Sequence, residues 1–255
     1  MVFSTRISIK WSDNKPSENT STVVMTSHKK GLFVDLRPFS PLSLAPNPDF
    51  PIDWAMTGRE EDAGPSRTIF HHLVDSKTIF KQIEARRKGL PAPETNDQDL
   101  GEFSDNGDGD RKEVGKMFND KSGIIEPYIE VWRSLDSCNT TPYNFGFIRE
   151  VEKEKRTLFE VPEYCGVLQI AASEDTEWEG MIIRLGNWIQ GLVYNKRPGL
   201  QQPLSAVRAW LDPQKDWQIV FRYGKDAHVM PLNFEGLEGD RSTVDGVCWT
   251  CVERS

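Results

Sequence analysis

Gln190 is the one polar side chain on a face otherwise built from Met181, Ile183, Leu185, Trp188 and Leu192. Two apolar runs supply these residues, and they flank Gly186-Asn187, a two-residue loop of types that tolerate positive φ. Tight pairing across that loop sets Leu185 opposite Trp188, Ile183 opposite Gln190 and Met181 opposite Leu192. An amide in an apolar wall must find a hydrogen-bond partner. Either a neighbouring strand or a bound small molecule supplies it. In the second case Gln190 is a catalytic handle on a carbonyl or hydroxyl, and Trp188 is the flat substrate-binding wall beside it.

Tyr223 ends an alternating stripe of Trp217, Ile219 and Phe221. At a barrel mouth its hydroxyl would hold or protonate a substrate oxygen, with Trp217 and Phe221 against the substrate; the plainer alternative is a core strand with Tyr at its rim. His71-His72 sends one imidazole to each side of its strand, so one of them, with His71 taken as the catalytic candidate, approaches an interior and can act as a base near neutral pH. Trp54 is a further aromatic wall. Arg184 shares a face with Ile182 and Ile189 and is either an outward or interface residue or a buried cation in need of an anion. Asp35 and Arg37 share a face and read as a local, surface-type ion pair. Glu130, between Ile129 and Val131, is a weaker acid–base candidate.

Metal chemistry and cofactors are not expected. Cys248-Trp249-Thr250-Cys251 has C-x-x-C spacing, but strand alternation separates its thiols and no second pair accompanies it. No calcium-loop register that starts within Asp105 to Asp110 has both Gly at position six and Glu at twelve. Ser-His-Asp order, a Walker loop, GxGxxG and HExxH are all absent from the sequence.

These residues must be positioned by strands. Alternating segments run over 6–11, 21–27, 32–37, 52–57, 67–75 and 124–132, and again over 166–172, 180–185, 188–194, 206–211, 217–223 and 247–253. Residues 76–88 make a short helix with Ile79, Phe80 and Ile83 on one side. Residues 134–143 read as a connector, and the acidic, Gly- and Asp-rich stretch 89–112 reads as a solvated loop. Many short strands with little helix predict an all-β fold of two antiparallel barrel halves. The halves span 1–135, including the acidic loop 89–112, and 136–255.

The chain has 255 residues with eight Trp and 13 Phe, enough for a real core, and a net charge of −8. That charge argues against nucleic acid and anionic membranes as partners. The sequence shows neither a signal-peptide pattern nor a long apolar run, so a cytoplasmic protein without membrane insertion is expected.

Ser4–Trp11, Phe33–Pro38, Asp53–Gly58, Tyr128–Trp132 and Gly180–Gly186, in that order and spacing, resemble the fungal HRI family, named for interacting with a casein-kinase-I-type kinase. The resemblance covers nearly the whole chain and implies two lipocalin-like β-barrel halves. It carries no catalytic residues with it. The acidic stretch is long for this pattern, and Met56-Thr57 replaces a more aromatic, small-residue run. By fold analogy alone the chain is also similar to cofactor-free, lipocalin-like fungal cyclases. The expected function is therefore a cofactor-independent catalyst of secondary metabolism. It would hold an apolar polyketide or terpenoid for cyclisation or (hetero-)Diels–Alder cycloaddition, relying on proximity and orientation. The alternatives are a non-catalytic interaction protein with a kinase or secretory-pathway partner, and a small-molecule carrier. A second copy of the chain, as a homodimer, is a further candidate partner.

Overall fold

Strand alternation organises the chain as a pair of antiparallel sheets in the computed structural model, which describes residues 2–93, 98–107, 109–142, 164–170 and 176–255. The first sheet closes into an eight-stranded antiparallel barrel in simple sequence order. Its strands are β1 (Val2–Trp11), β2 (Val23–Thr26), β3 (Leu32–Pro38), β4 (Ile52–Asp62), β5 (Arg67–Asp75), β6 (Gln98–Asp105), β7 (Arg111–Asn119) and β8 (Ile124–Ser134). Pairing of β1 with β8 closes the ring and leaves no free edge. Helix α1 (Ser76–Arg87) follows β5 and packs on β4 and β5. Asp75 caps it, accepting from the Thr78 amide at 2.9 Å.

The second half is a seven-stranded antiparallel sheet, and the all-β architecture with little helix is as expected. It contains β9 (Cys165–Ile170), β10 (Trp178–Leu185), β11 (Trp188–Asn195), β12 (Leu204–Leu211), β13 (Trp217–Tyr223), β14 (Arg241–Val244) and β15 (Val247–Arg254), ordered β13-β12-β11-β10-β9-β15-β14. The β10–β11 hairpin has the register read from the sequence, with Met181, Ile183 and Leu185 opposite Leu192, Gln190 and Trp188. Gly186 takes φ +52° in the turn, and a Cβ there would meet Ser137 O and Cys138 Sγ at 3.0 Å. Glycine thus serves both the turn and the close approach of the incoming chain.

The acidic stretch 89–112 is a correction. Its described part contains β6 and the start of β7, which are needed to close the barrel. Their inward positions carry Asp99, Glu113 and Arg111 rather than aliphatic residues, so low hydrophobicity hid two strands. Residues 94–97 and 108 of this stretch, Tyr143 of the connector, and Ala171 and Ala172 of an expected strand lie outside the described residues.

The core sits between the two halves. Phe3, Val23, Met25, Val34 and Leu36 on the outside of the barrel meet Ile183, Leu185, Trp188 and Leu192 of the second sheet in one cluster. The sheet's other face packs Ile182, Ile189, Val207 and Trp249 against Val229 and Met230. No helix among the described residues is long and apolar enough to cross a membrane.

Candidate functional site

Two places bring together side chains with chemistry, and they lie on opposite sides of the same barrel wall. On the outer side, Gln190 is 0% exposed. Its amide nitrogen donates to Val23 O and Val34 O, both at 3.0 Å, and its oxygen accepts from Arg208 Nε at 2.7 Å. Arg208 donates in turn to Ser21 O at 2.9 Å and Leu36 O at 3.0 Å. Burial pulls the Arg208 guanidinium down to about 9, so it stays charged at neutral pH. Trp188 donates to Thr140 O and rests on the Phe3 ring, 5.6 Å between centroids.

This is a correction to the expected pocket. The face holding Gln190 and Trp188 is pressed against the first barrel, and strand carbonyls and core side chains fill the place of a substrate. Nearby, Glu253 is likewise fully buried and accepts from Ser27 Oγ and the Lys29 and Lys30 amides, gripping the turn between β2 and β3.

On the inner side of the wall the barrel is hollow. Its cavity leaves ≈ 90 Å³ for the centres of water-sized molecules. The inward residues are every second one along a strand: Phe33, Asp35 and Arg37 on β3, Phe70 and His72 on β5, Tyr128, Glu130 and Trp132 on β8. Arg37 places Nε and one terminal nitrogen 2.9 and 2.7 Å from Asp35 Oδ2 and reaches Glu130 at 3.3 Å. Its guanidinium also lies 5.0 Å from the Trp54 ring centroid and 5.8 Å from that of Trp132. Arg6 pairs with Glu130 and Glu18 behind it. The Asp35–Arg37 pair is therefore a buried interior pair and not the surface pair its spacing suggested.

Glu113 accepts from Tyr128 Oη and from Trp132 Nε1, both at 2.8 Å. Burial, reinforced by the negative charge of Glu130, pushes its carboxyl up to about 8. His72 Nδ1 lies 3.1 Å from Asp75 Oδ2 and Nε2 lies 3.4 Å from Asp99 Oδ2. Burial opposes charge on this imidazole, but the two carboxylates outweigh it and raise its pKa. Trp54 Nε1 donates to the same Asp75 at 3.1 Å. Asp75, the cap of α1, thereby ties the helix to the cavity wall.

Of the residues singled out in the sequence, the cavity gathers only Trp54, with Glu130, Asp35 and Arg37 from the lesser candidates. His71 is on the outer side of β5, paired with Glu61 at 3.0 Å; its neighbour His72 is the inward one. Tyr223 donates to Asp49 O at 2.7 Å and meets Phe50 edge-on, while Phe221 packs at the margin of the inter-half core. Arg184 stacks on Tyr164 at 4.1 Å and Trp217 at 5.1 Å, on the sheet face away from the barrel. Glu113 and Trp132 were missed, and of the pair His71-His72 the wrong member was taken as the inward one. The alternation Tyr128-Glu130-Trp132 was the available signal, since charge and aromatics at every second position mark a polar interior.

A family profile described as "Protein HRI1" matches residues 2–253. The chain is 27% identical to "Protein HRI1" of Candida glabrata, over 93% of this chain and 94% of that protein. It is 25% identical to "Protein HRI1" of Kluyveromyces lactis, over 94% and 93%. In fold it is similar to the crystal structure of an uncharacterized protein from Saccharomyces cerevisiae, with TM-score 0.76, 20% identity, and coverage of 100% of this chain and 98% of the other.

Proposed function

This chain belongs to the HRI1 family, and from that premise and its hollow first barrel we propose that it is a receptor for a small amphipathic molecule. The observation that carries this reading is the ≈ 90 Å³ cavity walled by aromatic rings and by buried groups that form hydrogen bonds. Preformed clefts with a few convergent polar groups are the usual form of a ligand site. Space of this size exceeds the roughly 10–15 Å³ that one water needs and suits a compact ligand.

Cyclisation of an apolar polyketide or terpenoid loses its support. The wall expected beside Gln190 and Trp188 is occupied by the barrel. The cavity inside the barrel is lined by Asp35, Arg37 and Glu130, whose charges are poorly suited to a folded hydrocarbon chain. Holding a ligand, the carrier reading, needs no such wall.

The Trp54 and Trp132 rings line the cavity, and their indole N–H signals report on it. A set of small polar aromatic fragments screened by NMR should shift these two indole signals selectively. Hits that leave both unmoved would remove the reading.

A second role, contact between two copies of the chain, is favoured by one observation. Phe118, Ile124 and Ile125 stand exposed at the end of the β7–β8 hairpin. Sedimentation velocity should show self-association that Ile125→Ser weakens; a concentration-independent monomer rules this out.

A further inference from the structure

We propose that the cavity takes an organic cation, an amine on a flat apolar body, with the ammonium received by Asp35. The proposal rests on the cavity being a ligand site and adds the chemical class of the ligand.

Asp35 is 3% exposed and lines the cavity. Both hydrogen bonds from Arg37 go to Oδ2. Oδ1 is buried and has no hydrogen-bond partner among the described residues. A buried carboxylate oxygen left this way is costly, and a carboxylate can only accept, so the group it lacks is a donor.

The charge around it has the same sense. Asp35, Glu60, Asp99 and Glu130 line the cavity, against Arg37, Arg111 and His72. The fixed cations are already engaged. Arg37 is held by Asp35 and Glu130, His72 lies between Asp75 and Asp99, and Arg111 sits 5.2 Å from the Phe103 centroid. Burial raises the carboxyls of Asp35, Glu60 and Asp99, as expected for carboxylates taken out of water. A positive ligand relieves this; an anionic one worsens it.

The apolar body has its own wall. Phe33 and Phe70 meet edge-on at 5.9 Å, and Phe70 and Phe103 at 6.3 Å. Such a surface suits a ring more than a hydrated inorganic ion. Among the described residues no three His, Cys, Asp or Glu side chains gather to hold a metal.

The test compares three probes with the same phenyl body on the full chain: 2-phenylethylamine, 2-phenylethanol and 3-phenylpropionate. Calorimetry gives affinities, and the Trp54 and Trp132 indole signals give location. The amine should bind at least tenfold tighter than the other two, and Asp35→Asn should abolish that preference. The comparison among probes on the unaltered protein carries the result if Asp35→Asn does not fold. Equal or tighter binding of the alcohol or the acid, with the indole signals moving, overturns the cation class and leaves the receptor reading standing. An amine preference unchanged in folded Asp35→Asn overturns the role of Asp35. Silence from all three overturns the cation class, and only silence from the wider fragment set as well removes the receptor reading.

Discussion

Strand β3 carries two chemistries one residue apart. Asp35 and Arg37 point into a polar, partly empty barrel, while Val34 and Leu36 point out into a dry seam against the second sheet. The barrel's main apolar packing is on its outside. The difference teaches that closure of the sheet satisfies the backbone, whereas the seam supplies much of the burial that holds the fold together. The interior is then free to hold charge and space. Even the polar groups differ in kind. Gln190 and Arg208 in the seam bind carbonyls of the opposing half, while the interior groups mostly bind one another.

The sharpest way to break this contrast is truncation of one ring on each side. Trp188→Ala in the seam should lower stability by about 3–5 kcal/mol in denaturant melts. Phe70→Ala, beside existing empty space, should cost less than about 2 kcal/mol because it adds to a cavity already present. Equal losses would mean the interior carries as much packing as the seam.

Next in size is Gln190→Leu. It withdraws the donor from Val23 O and Val34 O and the acceptor from Arg208, and should cost about 1–3 kcal/mol. A neutral result would reduce the amide to a spacer.

The interior responds to pH through Glu113. Its folded pKa, raised to about 8, stands above the ordinary value of 4.5. The native state therefore binds more protons between these values. Stability from this group is fully present below about pH 4.5 and is lost as pH rises through about 8. From pH 7 to 9 the unaltered chain should lose about 1 kcal/mol more than Glu113→Gln, whose amide keeps partners for Tyr128 and Trp132. Parallel curves for the two proteins would place the carboxyl in a wetter setting. Smallest of all, Ile125→Ser on the exposed hairpin should change stability by less than about 0.5 kcal/mol.

Much of the fold was legible. The register about Gly186-Asn187, the helix with Ile79, Phe80 and Ile83, and most strands follow from local alternation and turn chemistry. Strands β6 and β7 were not legible, because inward Asp99, Arg111 and Glu113 break the apolar period by which strands are recognised. The site was legible in its residue pairs and not in its place. Asp35 and Arg37 pair as their spacing suggests, but spacing cannot say that their face is enclosed. His71 and His72 were known to face opposite ways; which one faces inward depends on a register break between β4 and β5 near Gly58.

The sequence by itself determined most of the strands, the tight hairpin and the family, because these rest on short-range patterns and on order along the chain. Tertiary structure alone decided which face of each strand became an interior and which became a seam. Alternation defines two faces but does not label them. The apolar hairpin face met the outside of the first barrel and was filled; the charged faces of β3 and β8 closed on themselves, and eight strands left space between them.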